Sequence, residues 1–219
     1  GEGLSASVYT STQVYIELNI DLDVSEAVNS VAEITSGETK PIVTIKSGIY
    51  SKINKNVYGG GDLGQVGDGI INQSSNTATI TKKGETQVTI KNGYIGGSVF
   101  GGGSGVPTTG NYTAEMGAVF GSTLTTINGG IIGDINTMGS TIGNVYGGGT
   151  QSRLFQSNES RLAAEVNITE DALPIVISGS IFGGGDRGDG ATTNASVPTT
   201  IGDVEVNIEG KGDLSKIYF

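Results

Sequence analysis

The sequence predicts an all-β protein whose fold is a right-handed parallel β-helix (β-solenoid) with irregular repeat units. Three observations support this prediction. A motif of one β-branched residue, one aromatic residue and three glycines recurs at intervals of roughly 36 to 46 residues, which is typical of repeat proteins. Short runs of alternating apolar and polar residues have the pattern of half-buried strands. Glycine accounts for 38 of the 219 residues, and it occurs in clusters between apolar runs.

The glycine motif occupies residues 57–61, 99–103, 145–149 and 181–185, and residues 217–219 are interpreted as the start of a fifth copy. Stacked units would place equivalent side chains about 4.8 Å apart. The predicted β-branched ladder consists of Val57, Val99, Val145, Ile181 and Ile217, and the predicted aromatic ladder of Tyr58, Phe100, Tyr146, Phe182 and Tyr218. A platform for sugar rings or planar ligands is an alternative role for the aromatic ladder. Packing is favoured because tyrosine and phenylalanine replace each other along it.

The N-terminal region lacks the motif. Residues 1–31 are interpreted as an N-terminal cap, and residues 32–219 as imperfect repeats within a single domain. In the cap, residues 14–24 alternate without interruption and predict one long strand. Residues 25–34 have apolar side chains at helical spacing, so a short helix is an alternative there, although residues 32–35 fit a strand better.

Each repeat unit is predicted to contain a strand, a tight turn, a second strand and the glycine motif. The proposed equivalent pairs of strands are 32–35 with 42–48, 78–81 with 88–93, and 165–169 with 175–179, and looser copies lie at 125–129 and 204–208. The segments 62–69, 104–116, 150–163 and 186–198 have loop compositions and differ in length. An antiparallel hairpin over residues 77–92 is an alternative that would favour a β-prism or a propeller.

Composition excludes several classes of function. The net charge is −10 and there is no histidine, so nucleic acid and anionic membrane surfaces are not expected partners. The absence of cysteine excludes disulfides, thiolate metal sites and a cysteine nucleophile. No apolar run approaches the roughly 18 to 20 residues of a membrane-spanning helix, so membrane insertion is not expected. No cofactor is predicted.

Aspartates in glycine-rich loops are the candidate metal ligands. These are Asp62, Asp68, Asp186 and Asp189. Calcium takes oxygen ligands from such loops. However, the order of residues in calcium-binding nonapeptide repeats is absent and Arg187 would oppose a cation, so turn formation is the favoured role. The tripeptide Arg187-Gly188-Asp189 is similar to integrin-binding loops, and chance is the favoured explanation in a chain so rich in glycine and aspartate.

The unit Val-Thr-Ile-x-x-Gly, then Ile, then Val-Phe-Gly-Gly-Gly occupies residues 88–103, with a looser copy at 204–218. It resembles the glycine-rich repeats of very large, adhesin-like surface proteins of anaerobic gut bacteria. The resemblance covers about residues 32–219. It implies a non-catalytic structural or adhesive role at the cell surface, with a host or microbial glycan or protein as ligand. The alternative is a carbohydrate-active β-helix enzyme, a polysaccharide lyase or glycoside hydrolase, that uses acidic residues.

The C-terminal end is also expected to take part in assembly. A solenoid that ends at residues 217–219 would expose unpaired backbone groups and apolar side chains, which proteins normally cover. Further repeats or a second subunit are therefore predicted at this end. The alternating segment 14–24 is one candidate to pair there, in head-to-tail contacts.

Overall fold

The described part of the chain is built from β-strands. The computed structural model describes residues 8, 11–18, 20, 22–25, 42–45, 52–105, 113–134, 142–156, 162–171, 174–186, 200–210 and 217–218. Within these residues all regular secondary structure is β-strand, and no helix is long and apolar enough to cross a membrane.

Three parallel sheets contain most of the strands, which are numbered in chain order. The first sheet contains β1 (Ser11–Glu17), β8 (Gly84–Asn92), β11 (Val119–Ile127), β14 (Leu154–Gln156), β15 (Ala164–Thr169), β18 (Thr200–Ile201) and β19 (Val204–Glu209). The second contains β4 (Lys52–Ile53), β9 (Tyr94–Ile95), β12 (Gly130–Ile132), β16 (Ile175–Ile177) and β20 (Ile217–Tyr218). The third contains β5 (Val57–Tyr58), β10 (Val99–Phe100), β13 (Val145–Tyr146) and β17 (Ile181–Phe182). The prediction of an all-β protein with parallel sheets is confirmed.

The chain passes through the three sheets in a constant order, and each passage is called a unit here. The units are β1-β4-β5, β8-β9-β10, β11-β12-β13, β14/β15-β16-β17 and β18/β19-β20. Every strand pairs in parallel with the strand at the same place in the next unit. Single bridges continue this pairing beyond the third sheet, joining Asp62, Ser104, Thr150 and Asp186 in sequence.

A single apolar cluster receives side chains from all three sheets. Its fully buried members include Val88 and Ile90 of the first sheet, Ile132 of the second, and Val99 and Val145 of the third. Alternation along each strand explains this, because every second side chain of a strand faces the same side. The three sheets therefore share one core.

The glycine motif brings the backbones of successive units together. The amide of Gly60 donates to the carbonyl of Gly102 at 3.0 Å, and the amide of Gly102 donates to that of Gly148 at 3.1 Å. A Cβ atom on Gly102 would lie 2.7 Å from the backbone nitrogen of Gly149. Only glycine fits there, because the obstructing atoms belong to the neighbouring backbone.

Two antiparallel ribbons lie outside these sheets. β2 (Leu22–Ser25) pairs with β3 (Ile42–Ile45), and β6 (Asp68–Asn72) pairs with β7 (Thr77–Lys82). The β6-β7 ribbon packs through Ile71 and Ile80 against a second cluster that contains Phe120 and Phe155. Those two rings stack with centroids 5.6 Å apart.

The predicted long strand over residues 14–24 is wrong. The structure places β1 and β2 in different sheets, and the register against β8 already shifts between Ile16 and Glu17. Part of the predicted cap, residues 11–17, forms the outermost strand of the first sheet. The predicted helix or strand over residues 26–35 lies outside the described residues.

The predicted alignment of the repeats is wrong in two places. The partners of Val88 and Ile90 in the preceding unit are Val14 and Ile16, whereas residues 42–45 belong to the β2-β3 ribbon. Likewise, residues 78–81 lie in the β6-β7 ribbon. Residues 165–169 are equivalent to the strand before the glycine in the other units, not to residues 78–81.

The interpretation of residues 217–219 as the start of a fifth glycine motif is also wrong. Ile217 pairs with Ile175 and Tyr218 with Val176, so residues 217–218 lie in the second sheet and do not begin a fifth glycine motif. Tyr218 is therefore not part of the aromatic ladder. The alternative hairpin over residues 77–92 is wrong as well, since β7 pairs with β6 and β8 lies between β1 and β11.

Candidate binding face

The outer face of the first sheet carries polar side chains in rows that cross the strands. The first row is Ser11, Glu85 and Ser122; the second is Gln13, Gln87, Leu124, Glu165 and Glu205; the third is Tyr15, Thr89, Thr126, Asn167 and Asn207. The residues between them on each strand face the core. The parallel register thus places amide, hydroxyl and carboxylate groups from distant parts of the chain side by side.

A groove of about 280 Å³ lies over the N-terminal halves of β1 and β8 and the middle of β11, and it is open to solvent. It is lined by Ser11, Thr12, Gln13, Glu85, Thr86, Gln87, Ser122 and Leu124. The hydroxyls of Thr12 and Thr86 donate inward, to the carbonyls of Gly59 at 2.5 Å and Gly101 at 2.6 Å. The outward polar groups of the groove therefore come from the first two rows.

Tyr15 stands beside the groove, two residues after Gln13 on the same strand. It is 55 % exposed, and its hydroxyl donates to Oε2 of Glu17 at 2.9 Å. This hydrogen bond raises the pKa of the Tyr15 phenol, and the partial burial and the charge of Glu17 raise it further. The phenol therefore stays neutral at physiological pH, and its ring lies exposed on the outer face.

The face becomes more acidic towards the last unit. Nδ2 of Asn167 donates to Oε1 of Glu165 at 2.7 Å, and Nδ2 of Asn207 donates to Oδ1 of Asn167 at 3.0 Å. Glu205 lies opposite Glu165 in the register. The hydrogen bonds at this end are 2.7 and 3.0 Å long, whereas in the groove the bond from Nε2 of Gln13 to Oε1 of Gln87 is longer, at 3.5 Å.

The aromatic ladder exists in the third sheet with four members. Successive rings of Tyr58, Phe100, Tyr146 and Phe182 are nearly parallel, with centroids 4.9, 4.7 and 4.8 Å apart. Phe100 and Tyr146 are 3 % and 7 % exposed. The interior rings cannot offer a face to a ligand, so the ladder is a packing element.

A polar ladder that the sequence analysis missed runs beside the rings. Asn or Ser stands two residues before each ring, and in the first three units its side chain accepts from a backbone amide of the next unit. Oδ1 of Asn56 accepts from Ser98 at 2.9 Å, Oγ of Ser98 from Asn144 at 3.0 Å, and Oδ1 of Asn144 from Ser180 at 2.7 Å. The sequence contains a signal for this ladder, because an asparagine stands two residues before each tyrosine of the aromatic ladder and a serine stands two residues before each phenylalanine.

The asparagines of this polar ladder also donate hydrogen bonds to the tyrosine hydroxyls. Nδ2 of Asn56 donates to the hydroxyl of Tyr58 at 2.9 Å, and Nδ2 of Asn144 to that of Tyr146 at 3.0 Å. Burial raises the pKa of the Tyr58 phenol, the Asn56 hydrogen bond lowers it, and the charges of Asp62 and Asp186 raise it. Tyrosine and phenylalanine therefore do not exchange freely, since each comes with its own polar neighbour.

The candidate metal ligands lie apart in the fold. Asp62 and Asp186 occupy opposite ends of the bridged column that Ser104 and Thr150 complete. Asp68 lies in β6, where it accepts from Gln65 at 3.2 Å and from Thr81 at 2.8 Å. Among the described residues no three acidic side chains form a group that could hold a metal ion. Asp189 and the tripeptide Arg187-Gly188-Asp189 lie outside the described residues.

Comparison with protein-family models, with curated proteins and with solved structures gave no match to this chain.

Proposed function

We propose that this chain is a segment of a right-handed parallel β-solenoid that acts as a non-catalytic, structural or adhesive part of an extracellular bacterial cell-surface protein. The observation that carries the proposal is the constant passage through three parallel sheets around one apolar core. The right hand follows the strong preference of parallel strand connections. The glycine-rich repeats support the cell-surface location through their resemblance to adhesin-like proteins.

A rigid column with a polar outer face suits a structural or adhesive role. The core ladders repeat from unit to unit, whereas the second outer row changes from the amides of Gln13 and Gln87 to the carboxylates of Glu165 and Glu205. Because the core side chains and the outer side chains alternate along each strand, the outer residues can change without loss of core packing. A glycan or protein ligand is the proposed partner of that face.

The groove favours binding over the alternative enzyme. Glycoside hydrolysis commonly needs two carboxyl groups that flank one bond. The lining of this groove contributes one, Glu85. No observation in the described residues favours the lyase or hydrolase alternative over the binding role.

The C-terminal end supports a further partner. Val206 and Ile208 lie in the register of the core residues Val166 and Ile168, yet they are 39 % and 51 % exposed. The same apolar pattern is fully buried one strand earlier. We propose that another unit with this pattern, from further repeats or from a second subunit, covers these side chains.

Limited proteolysis with subtilisin tests the solenoid segment. We expect cleavage to be confined to the predicted loops 104–116 and 150–163 outside β14, with the interior strands, β14 (Leu154–Gln156) included, protected because their backbone groups are paired on both sides. Cleavage throughout the units would contradict the proposal. In parallel, acidic and neutral polysaccharides should yield no new reducing ends and no unsaturated products, and turnover of any of them would establish the enzyme instead.

A further inference from the structure

The groove on the first sheet is a place where only side chains can recognise a ligand. β8 pairs with β1 on one side and with β11 on the other, so the backbone groups of the central strand are already bonded. An extended peptide that adds a strand needs a free sheet edge. The groove crosses the strands instead, so its selectivity comes from the outward side chains of three units.

The lining has the chemistry for hydroxyl groups. The hydroxyls of Ser11 and Ser122 and the amides of Gln13 and Gln87 can each donate and accept hydrogen bonds. The lining contains no lysine or arginine, and its one ionisable side chain is Glu85. Because the chain also carries a net charge of −10, an anionic ligand would be repelled here.

Apolar surface adjoins these polar groups. Leu124 continues the row of Gln13 and Gln87, and the ring of Tyr15 lies about 7 Å along the strand from Gln13. The Tyr15 ring is 55 % exposed, and its hydroxyl donates to Glu17. An exposed aromatic ring next to hydroxyl-binding groups suits a ligand with both C–H faces and hydroxyl edges.

We infer that this groove binds a neutral oligosaccharide, through hydrogen bonds from Gln13, Gln87 and the two serines and through stacking on Tyr15. The inference rests on the proposed binding role of the chain and assigns that role to one site and one class of ligand. A volume of about 280 Å³ is near the lower end of small-molecule sites, so one or two sugar rings are held.

The test uses the full chain and immobilised hexasaccharides. The neutral probes are cellohexaose, xylohexaose, mannohexaose and laminarihexaose, and the charged probes are hexagalacturonate and the glucosamine hexamer. At least one neutral probe is expected to bind, and hexagalacturonate is not. Binding of the cationic glucosamine hexamer alone would overturn the inference, because it would reflect attraction to an acidic surface. Binding of no probe would overturn it as well.

Three variants locate the site. Gln87→Ala and Tyr15→Ala should each weaken binding of the neutral probe about tenfold, the effect of losing one good contact. Asn207→Ala removes an amide from the same face three strands away and should change affinity less than about twofold. If Gln87→Ala melts at a lower temperature, the exposed Gln13→Ala replaces it. Unchanged affinity in the groove variants would overturn the site.

The failure of this inference is distinguishable from that of the proposed function. If no sugar binds but subtilisin cleaves only the two loop segments, the groove assignment is wrong and the solenoid segment stands. If subtilisin cleaves throughout the units, the proposed solenoid is wrong whatever the sugars do.

Discussion

The interior strands and the last strands of the same sheets carry the same residue pattern but differ in burial. In the first sheet, Val166 and Ile168 are fully buried, whereas their partners Val206 and Ile208 are 39 % and 51 % exposed. In the third sheet, Phe100 is 3 % exposed and Phe182 is 44 % exposed. The pattern within a unit therefore decides which side chains face inward, and the neighbouring units decide whether those side chains are buried.

The difference in burial also indicates how stability is distributed among the units. A core residue of an interior strand has neighbours on both sides, and one in a last strand has neighbours on one side. Energies in repeat proteins are approximately sums of unit terms and terms between adjacent units. The same substitution at equivalent positions of an interior strand and a last strand should therefore lower the free energy of unfolding by different amounts. The difference equals the contribution of the neighbouring strand that the last strand lacks.

The middle glycines of the motif should show the largest difference. Gly102→Ala places a Cβ 2.7 Å from the backbone nitrogen of Gly149, whereas among the described residues the nearest atom to a Cβ on Gly184 is Oγ1 of Thr200 at 3.7 Å. We expect Gly102→Ala to lower the free energy of unfolding by about 3 kcal/mol or more and Gly184→Ala by less than about 0.5 kcal/mol. Urea denaturation followed by circular dichroism measures both. Equal losses would contradict the comparison.

The inward isoleucines should show the next largest effect. Ile168→Ala removes a fully buried side chain and should cost about 3 kcal/mol. Ile208→Ala removes one that is 51 % exposed, so about 1 kcal/mol is expected. The same denaturation experiment separates them, and a loss at Ile208 as large as that at Ile168 would mean that the last strand is covered in solution.

Two inward-facing threonines on β11 test how buried hydroxyl groups affect stability. The buried hydroxyl of Thr125 has no hydrogen-bond partner among the described residues, and its register partners are Val88 and Val166. Thr125→Val should therefore raise the free energy of unfolding by about 1 kcal/mol.

Thr123 provides the matched control on the same strand. Its hydroxyl donates to the carbonyl of Gly147 at 2.6 Å. Thr123→Val should lower the free energy of unfolding by about 1 kcal/mol, because the buried carbonyl loses that donor. Changes of the same sign in the two variants would show that these hydroxyls do not differ as described.

The smallest effect is expected in the polar ladder. Tyr146→Phe removes the acceptor of the 3.0 Å bond from Nδ2 of Asn144, and it should cost roughly 1 kcal/mol or less. Adding Asn144→Ser reproduces the Ser98 and Phe100 combination of the preceding unit and should recover most of the loss. A double-mutant cycle measures the coupling between the two positions. Additive losses would contradict the pairing of asparagine with tyrosine.

The β-strand content, the parallel sheets and four members of the aromatic ladder could be predicted from the sequence. The motif of an aromatic residue before three glycines is specific, and it occupies the same place in each unit that contains it. It did not predict the partners of the alternating strands. Residues 42–45 and 88–90 have similar patterns, yet one strand is antiparallel and the other parallel. Alternation specifies which side chains share a face, but it specifies neither the direction nor the identity of the neighbouring strand.

The groove was not predicted for the same reason. Gln13 and Gln87 are 74 residues apart, and only the register of β1 against β8 brings them together. Neither glutamine belongs to a motif. In contrast, the loop aspartates stood out by composition, although the fold leaves Asp62 and Asp186 at opposite ends of a column.

The register between units is the central claim, and a cysteine pair tests it most directly. The chain has no cysteine of its own. Thr89 and Thr126 are register partners on adjacent strands, where Cα atoms about 4.8 Å apart permit a disulfide. Thr89 and Asn167 are separated by one more strand, or about 9.6 Å, which does not.

Mild oxidation of the monomer should therefore link T89C to T126C and leave the control pair T89C and N167C reduced, as measured by mass spectrometry of peptides from the unreduced protein. Efficient linkage of the control pair, together with no linkage of the adjacent pair, would contradict the stacking of units on which the core, the ladders and the groove all depend.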